Sequence, residues 1–117
     1  MDYTLLTHEG FAIDIKGGPE QIDFCAQLNE RNLITLALGG MVLAKNIFKT
    51  IVPDGESSGA YELHTLDGAI YRTDIADYDV QAISATFNNP KNDFVLVGGI
   101  IIQRHNFKMI RLAPKAD

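Results

Sequence analysis

Three histidines, one cysteine and a short run of aspartates are the residues of this chain that could do chemistry, and their spacing decides against most of it. His8, His64 and His105 are far apart, and none stands in a His-Glu-x-x-His or Cys-x-x-Cys arrangement that would turn two metal ligands to one side. Surface or turn hydrogen bonding is the role expected of them. Cys25 has no neighbouring base or anion-binding turn that would stabilise a thiolate, so it reads as a small apolar core residue. Asp74, Asp77 and Asp79 bring carboxylates close together for a divalent ion but lack the further oxygen ligands and the glycine of a calcium loop. Asp77 with Asp79, or Asp14 with Glu20, would serve acid–base chemistry only at a separation that sequence spacing does not set. Gly17-Gly18-Pro19-Glu20 precedes a helical pattern but lacks the Lys and Ser/Thr of a phosphate loop, and reads as a turn. No catalytic, metal or cofactor-binding residue is assigned.

The side chains that remain are those suited to binding. Two basic and aromatic segments recur, Lys45-Asn46-Ile47-Phe48-Lys49-Thr50-Ile51 and Arg104-His105-Asn106-Phe107-Lys108-Met109-Ile110. Lys45, Lys49, Arg104, His105, Lys108 and Arg111, with Lys115 beyond them, form the candidate binding surface. Glu20, Asp23 and Glu30 in one half and Asp74, Asp77 and Asp79 in the other make the intervening segments acidic. Solvated faces of opposite charge are the plainest explanation. The sharper one is contact with a complementary protein, either a second copy of the chain or a different partner. Lys and Arg interleaved with Phe and His on a β surface can also stack bases, which makes nucleic-acid binding an alternative. A small enzyme with a site between the halves is a further one.

Composition narrows the classes. The 117 residues are 46% apolar and 21% charged with a net charge of −5, and no apolar run approaches the ~20 residues of a membrane span. A net negative chain has little general affinity for DNA or anionic lipid, which requires clustered Lys and Arg. With one cysteine and no charged, apolar leader, the expected location is a reducing cytoplasm. A small accessory or inhibitory protein of a bacterium or phage would have this profile.

The elements that must position these residues are written twice. Tyr3-Thr4-Leu5-Leu6-Thr7-His8-Glu9-Gly10 returns as Tyr61-Glu62-Leu63-His64-Thr65-Leu66-Asp67-Gly68, an offset of 61 − 3 = 58. Gly39-Gly40-Met41-Val42-Leu43 returns as Gly98-Gly99-Ile100-Ile101-Ile102, an offset of 98 − 39 = 59. One inserted residue is implied, expected in the polar turn Asn88 to Asp93.

Each copy opens on a hairpin, and Asp67-Gly68 suits a type I′ turn. A short helix follows, begun by Pro19 and Glu20 with an apolar stripe of Ile22, Cys25, Ala26 and Leu28. Its counterpart has Val80, Ile83 and Phe87 at helical spacing and a stop at Asn88-Asn89-Pro90, although Ala82, Ser84 and Thr86 also alternate as in a strand. A second hairpin turns at Gly39-Gly40 or Gly98-Gly99, and Val95 to Ile102, apolar on successive positions, reads as covered on both faces. Each basic segment ends the copy as a turn and a short strand anchored by Phe48 or Phe107.

The fold class that follows is α+β: two tandem ββαββ-like repeats, about 3–53 and 61–114, related by pseudo-twofold symmetry in a single domain. The sheets are mainly antiparallel with one short helix per repeat, and a Gly/Ser-rich linker, 54–60, joins the copies. A half of this size is marginal alone, so the copies are expected to bury Leu5, Ile13, Leu36, Leu38, Val42 and Phe48 with Leu63, Tyr71, Val95, Val97, Ile101 and Phe107. The function expected is noncatalytic protein interaction without a cofactor, with a homodimer as one form and no membrane partner.

Overall fold

Among the described residues, ten short strands and two helices are laid down in an order that is the same in the two halves of the chain. The computed structural model describes residues 1–55 and 58–114; Lys115 and part of the expected linker lie outside them. The first half runs β1 (Tyr3–Thr7), β2 (Ala12–Ile15), α1 (Gln21–Leu28), β3 (Thr35–Leu38), β4 (Met41–Ala44), a 3-10 turn (Lys45–Ile47) and β5 (Phe48–Pro53). The second runs β6 (Tyr61–Thr65), β7 (Ile70–Thr73), α2 (Val80–Asn88), β8 (Phe94–Val97), β9 (Ile100–Gln103), a 3-10 turn (Arg104–Asn106) and β10 (Phe107–Leu112). The protein is therefore α+β with antiparallel sheets throughout the described residues.

Local chemistry explains these elements. Glycine pairs turn both inner hairpins, and Gly39 and Gly40 each adopt positive φ, 54° and 77°, as a two-residue mirror-image turn requires. The outer hairpins differ from the expected type I′ turn. Among the described residues only Asp77 is a non-glycine with positive φ, so Asp67 does not supply it. Gly68 alone does, after a turn closed by Gly68 N–H to Thr65 O at 3.1 Å, the form that precedes a bulge.

The helices also correct the sequence reading in two places. In α1 the apolar stripe is Phe24, Cys25 and Leu28, while Ile22 is 74% exposed and Ala26 faces solvent. Residues at i, i+1 and i+4 share one side of a helix, and Ile22 and Ala26 fall on the other. Pro19 lies just ahead of the cap residue Glu20. In α2 the side chain of Asp79 caps the helix by accepting from the Gln81 and Ala82 N–H groups at 3.0 and 3.2 Å, which decides the helix-or-strand ambiguity. Matching elements start 61 − 3 = 58 residues apart before the helices and 80 − 21 = 59 from the helices onward. The change of offset thus falls between Thr73 and Asp79, and not in Asn88 to Asp93 where it was expected.

Strand pairing joins the halves in one direction only. A five-stranded sheet has the order β2-β1-β5-β9-β8, so the second half's inner hairpin extends the first half's sheet. Strands β10-β6-β7 form a second sheet, and β3-β4 stand as a hairpin. Among the described residues no pairing of β4 with β10 returns the β5–β9 contact, so the reciprocal exchange that a twofold axis demands is absent.

The core is correspondingly divided. One cluster holds Tyr3, Leu5, Phe24, Leu28, Leu36, Leu38, Phe48 and Ile51, and takes in Phe94 and Ile101 from the other half. The other is built on Leu63, Val95, Val97, Ile100 and Ile102, with Phe87, Phe107 and Ile110 at its edge. Alternation along β8 and β9 sends one face into each cluster, as the continuous apolar run implies. Val42, expected in the core, is 75% exposed.

Candidate docking groove

In each half one ring contact links the helix to the last strand, Phe24 with Phe48 and Phe87 with Phe107, and the channels between helix and strand have different fates. Between α1 and β5 the channel is filled by β8–β9. Asn29 clamps the incoming strand: its Nδ2 donates to Phe94 O at 2.8 Å and its Oδ1 accepts from Phe94 N–H at 2.8 Å. The Cys25 thiol donates to the same carbonyl at 3.6 Å and Gln21 Nε2 to Gly99 O at 3.3 Å. Burial pushes the Cys25 thiol up to about 11, which keeps it protonated and a donor.

Between α2 and β10 the corresponding channel is open. It encloses about 620 Å³ and is lined by Val80, Ile83, Ser84, Phe87, Asn88 and Met109, among others. α2 buries none of its residues fully, and Val80 is 55% exposed. The rings of Phe87 and Phe107 stack at 4.0 Å along its floor, and Tyr78 closes one end by stacking on Tyr61 at 4.4 Å. An apolar helix face beside a strand that pairs on one side only is chemically equipped to accept another strand.

The basic residues read from the sequence are dispersed around this framework. Arg104 and His105 line the open groove, where Arg104 donates to Asn89 O at 3.0 Å. Lys45 makes the matching bond in its own half, to Glu30 O at 2.7 Å. Lys45 and His105 meet in a separate hollow of about 360 Å³ that Asp93 also lines. Lys49 is ion-paired with Asp67, joining β5 to the β6–β7 turn. Burial of Asp67 opposes its charge, but the bonds from Lys49 and Thr65 prevail and hold its carboxyl below the usual range. Arg111 donates to Glu62 at 3.1 Å, beside His64, and these bonds, His64 first, hold Glu62 low as well. Lys108 and His105 are exposed. The structure therefore brings Arg104 and His105 to one groove and engages Lys45, Lys49 and Arg111 elsewhere.

Asp74 and Asp79 are occupied in backbone bonding, the former accepting from Ala60 N–H at 2.9 Å. No group of three metal-ligating side chains occurs among the described residues, and no helix among them is long and apolar enough to cross a membrane. Asn88 enters the sequence reading only as part of a helix stop, and Asn29 not at all. Their offset, 88 − 29 = 59, equals that of the inner hairpins and is the signal that could have found them. Compared with protein-family models, curated proteins and solved structures, the chain matches none.

Proposed function

We propose that the chain is a noncatalytic protein-interaction module made of two tandem copies of a ββαββ-like unit, and that the groove between α2 and β10 is its binding face. The observation that carries this reading is the contrast between the two channels: the same helix-and-strand channel that is covered in the first half is left open in the second. Matched hydrogen bonds support the shared ancestry of the units. Thr7 N–H to Phe11 O at 2.9 Å corresponds to Thr65 N–H to Ala69 O at 3.0 Å, and Lys45 N–H to Ile34 O at 2.8 Å to Arg104 N–H to Asp93 O at 2.9 Å. A partner that offers a strand or hairpin would gain main-chain bonds along β10 and apolar contact with Val80, Ile83 and Phe87. A buried, protonated Cys25 fits a reducing cytoplasm.

The test is a photo-reactive benzophenone residue placed at Val80, in the groove, and at Ile22, exposed on α1 outside either channel. Irradiated in cells of the source organism, the variant at position 80 is expected to give a protein adduct that maps to a strand or hairpin, and the variant at 22 none. Absence of any adduct from position 80 overturns the reading.

A further inference from the structure

We propose that the occupant of the α2–β10 groove is the β3–β4 hairpin of a second copy of this chain, docked head to tail as β8–β9 docks on α1 and β5. The inference rests on the groove being a docking face and adds what fills it. Contacts between the halves, shifted by the repeat offset, fall on residues of α2, β10 and the β3–β4 hairpin that can make them between two copies.

The strand pairing transfers directly. Thr50 opposite Ile102 and Ile51 opposite Ile101 become, with 50 + 59 = 109 and 102 − 59 = 43, Met109 opposite Leu43 and Ile110 opposite Val42 of the second copy. Neither strand has a second strand partner among the described residues, β4 pairing with β3 alone and β10 with β6 alone; the Ile110 carbonyl accepts from the Tyr78 hydroxyl at 3.4 Å, a long bond that the docked strand would replace. Val42 is 75% exposed, and no charged residue stands between Arg31 and Lys45. An exposed edge that carries neither charge nor proline lacks the usual protection against pairing with another strand.

The side-chain contacts transfer as well. Asn88 stands where Asn29 stands, and among the described residues its amide reaches only Ser84, at 3.5 Å, as Asn29 also touches Cys25. It retains the two groups that would clamp the backbone of Thr35, the counterpart of Phe94. Ser84, in the place of Cys25, keeps a donor for the same carbonyl. The ion pair Lys49–Asp67 becomes Lys108 with Glu9, since 67 − 58 = 9, and both of these are exposed. The buried polar pair Asn106–Thr50, 3.1 Å apart, becomes the apolar pair Ile47–Met109, so polar meets polar in one junction and apolar meets apolar in the other.

Shape agrees too. The outward side chains Thr35, Ala37 and Val42 are smaller than Phe94, Leu96 and Ile101, and the groove they would enter carries the Phe87–Phe107 ring stack where the first half has Leu28 and Phe48. The bonds from Gln21 and Arg31 are not reproduced, because Val80 and Pro90 occupy those places. The junction between chains is therefore weaker than the tethered one within the chain. Such a contact is heterologous, leaving one hairpin and one groove for further copies unless a ring closes.

Two exposed positions allow a complementation test by light scattering. Val42→Lys spoils the hairpin and leaves the groove, while Ser84→Arg spoils the groove and leaves the hairpin. Wild type is expected to exceed the mass of one chain as concentration rises toward ~1 mM, a scale typical of weak pairing. Each variant alone should remain at one chain, with its dissociation constant raised at least tenfold, and an equimolar mixture should recover two chains and stop there. In parallel, a Val42→Cys chain mixed with an Ile110→Cys chain should form a mixed disulfide when diamide is added as the two-electron oxidant, with Cys25 excluded by its burial. A wild type that stays monomeric with no mixed disulfide overturns the proposal. So does a mixture of the two variants that stays monomeric while wild type associates. An adduct from position 80 to a different protein would then leave the groove reading standing and this one refuted.

Discussion

Asn29 does at residue scale what the hydrophobic cluster around it cannot do alone: it satisfies both backbone groups of Phe94 where β8 meets the helix. Loss of one partner leaves buried donors and acceptors unpaired, at about 1–3 kcal/mol. Asn29→Ala is accordingly expected to lower unfolding stability by about that amount, read from the urea midpoint at constant slope. Asn29→Asp, which sets a carboxylate oxygen against Phe94 O at the C-terminal end of the helix, should cost at least as much. Asn88→Ala, exposed and bonded among the described residues only to Ser84, should leave the monomer's midpoint unchanged. Equal losses at positions 29 and 88 would contradict the filled-versus-open distinction. Neither asparagine was legible as a clamp, because an Asn at a helix end is equally a stop signal and only its partner in space separates the two roles.

Elements show where local rules held and where packing overrode them. The glycine pairs follow from backbone geometry and were legible, whereas α2, whose residues also alternate as in a strand, is fixed as a helix by the Asp79 cap seen in the structure. The α1 stripe was misassigned because Ile22 and Phe24 are both apolar, and which side of a short helix is covered depends on where β8 lies. Connection between elements also has a charge component in the Lys49–Asp67 pair, which ties β5 to the β6–β7 turn. Asp67 has a lowered pKa in the folded protein. Its contribution is thus fully present above the unfolded carboxylate value, about 3.9, and is lost as pH falls through the lower folded value. The melting temperature of wild type should exceed that of Asp67→Asn at pH 6, and the gap should narrow below about pH 4. Asp54 and Glu62, also held low, are common to both proteins and cancel in the comparison. A gap that widens in acid would refute the assignment.

For the whole molecule the decisive feature is that β8–β9 serves two clusters at once. Cutting the chain after Gly59 removes Phe94 and Ile101 from the first cluster and uncovers Phe24, Leu28 and Ile51, all at 0–1% exposure in the intact protein. The fragment 1–59 is expected to aggregate or unfold; dispersed amide NMR signals from a monomeric fragment would count against it. The hairpins and the α+β class could be read from the residues, since turn chemistry and apolar periodicity act over a few neighbours. The one-way pairing of β5 with β9, the exposure of Val42 and the open channel beside α2 could not be. They depend on which of two similar hairpins meets which of two similar sheets, and the short-range pattern is nearly the same for all of them. Only long-range packing distinguishes the channel that is filled from the one that is not.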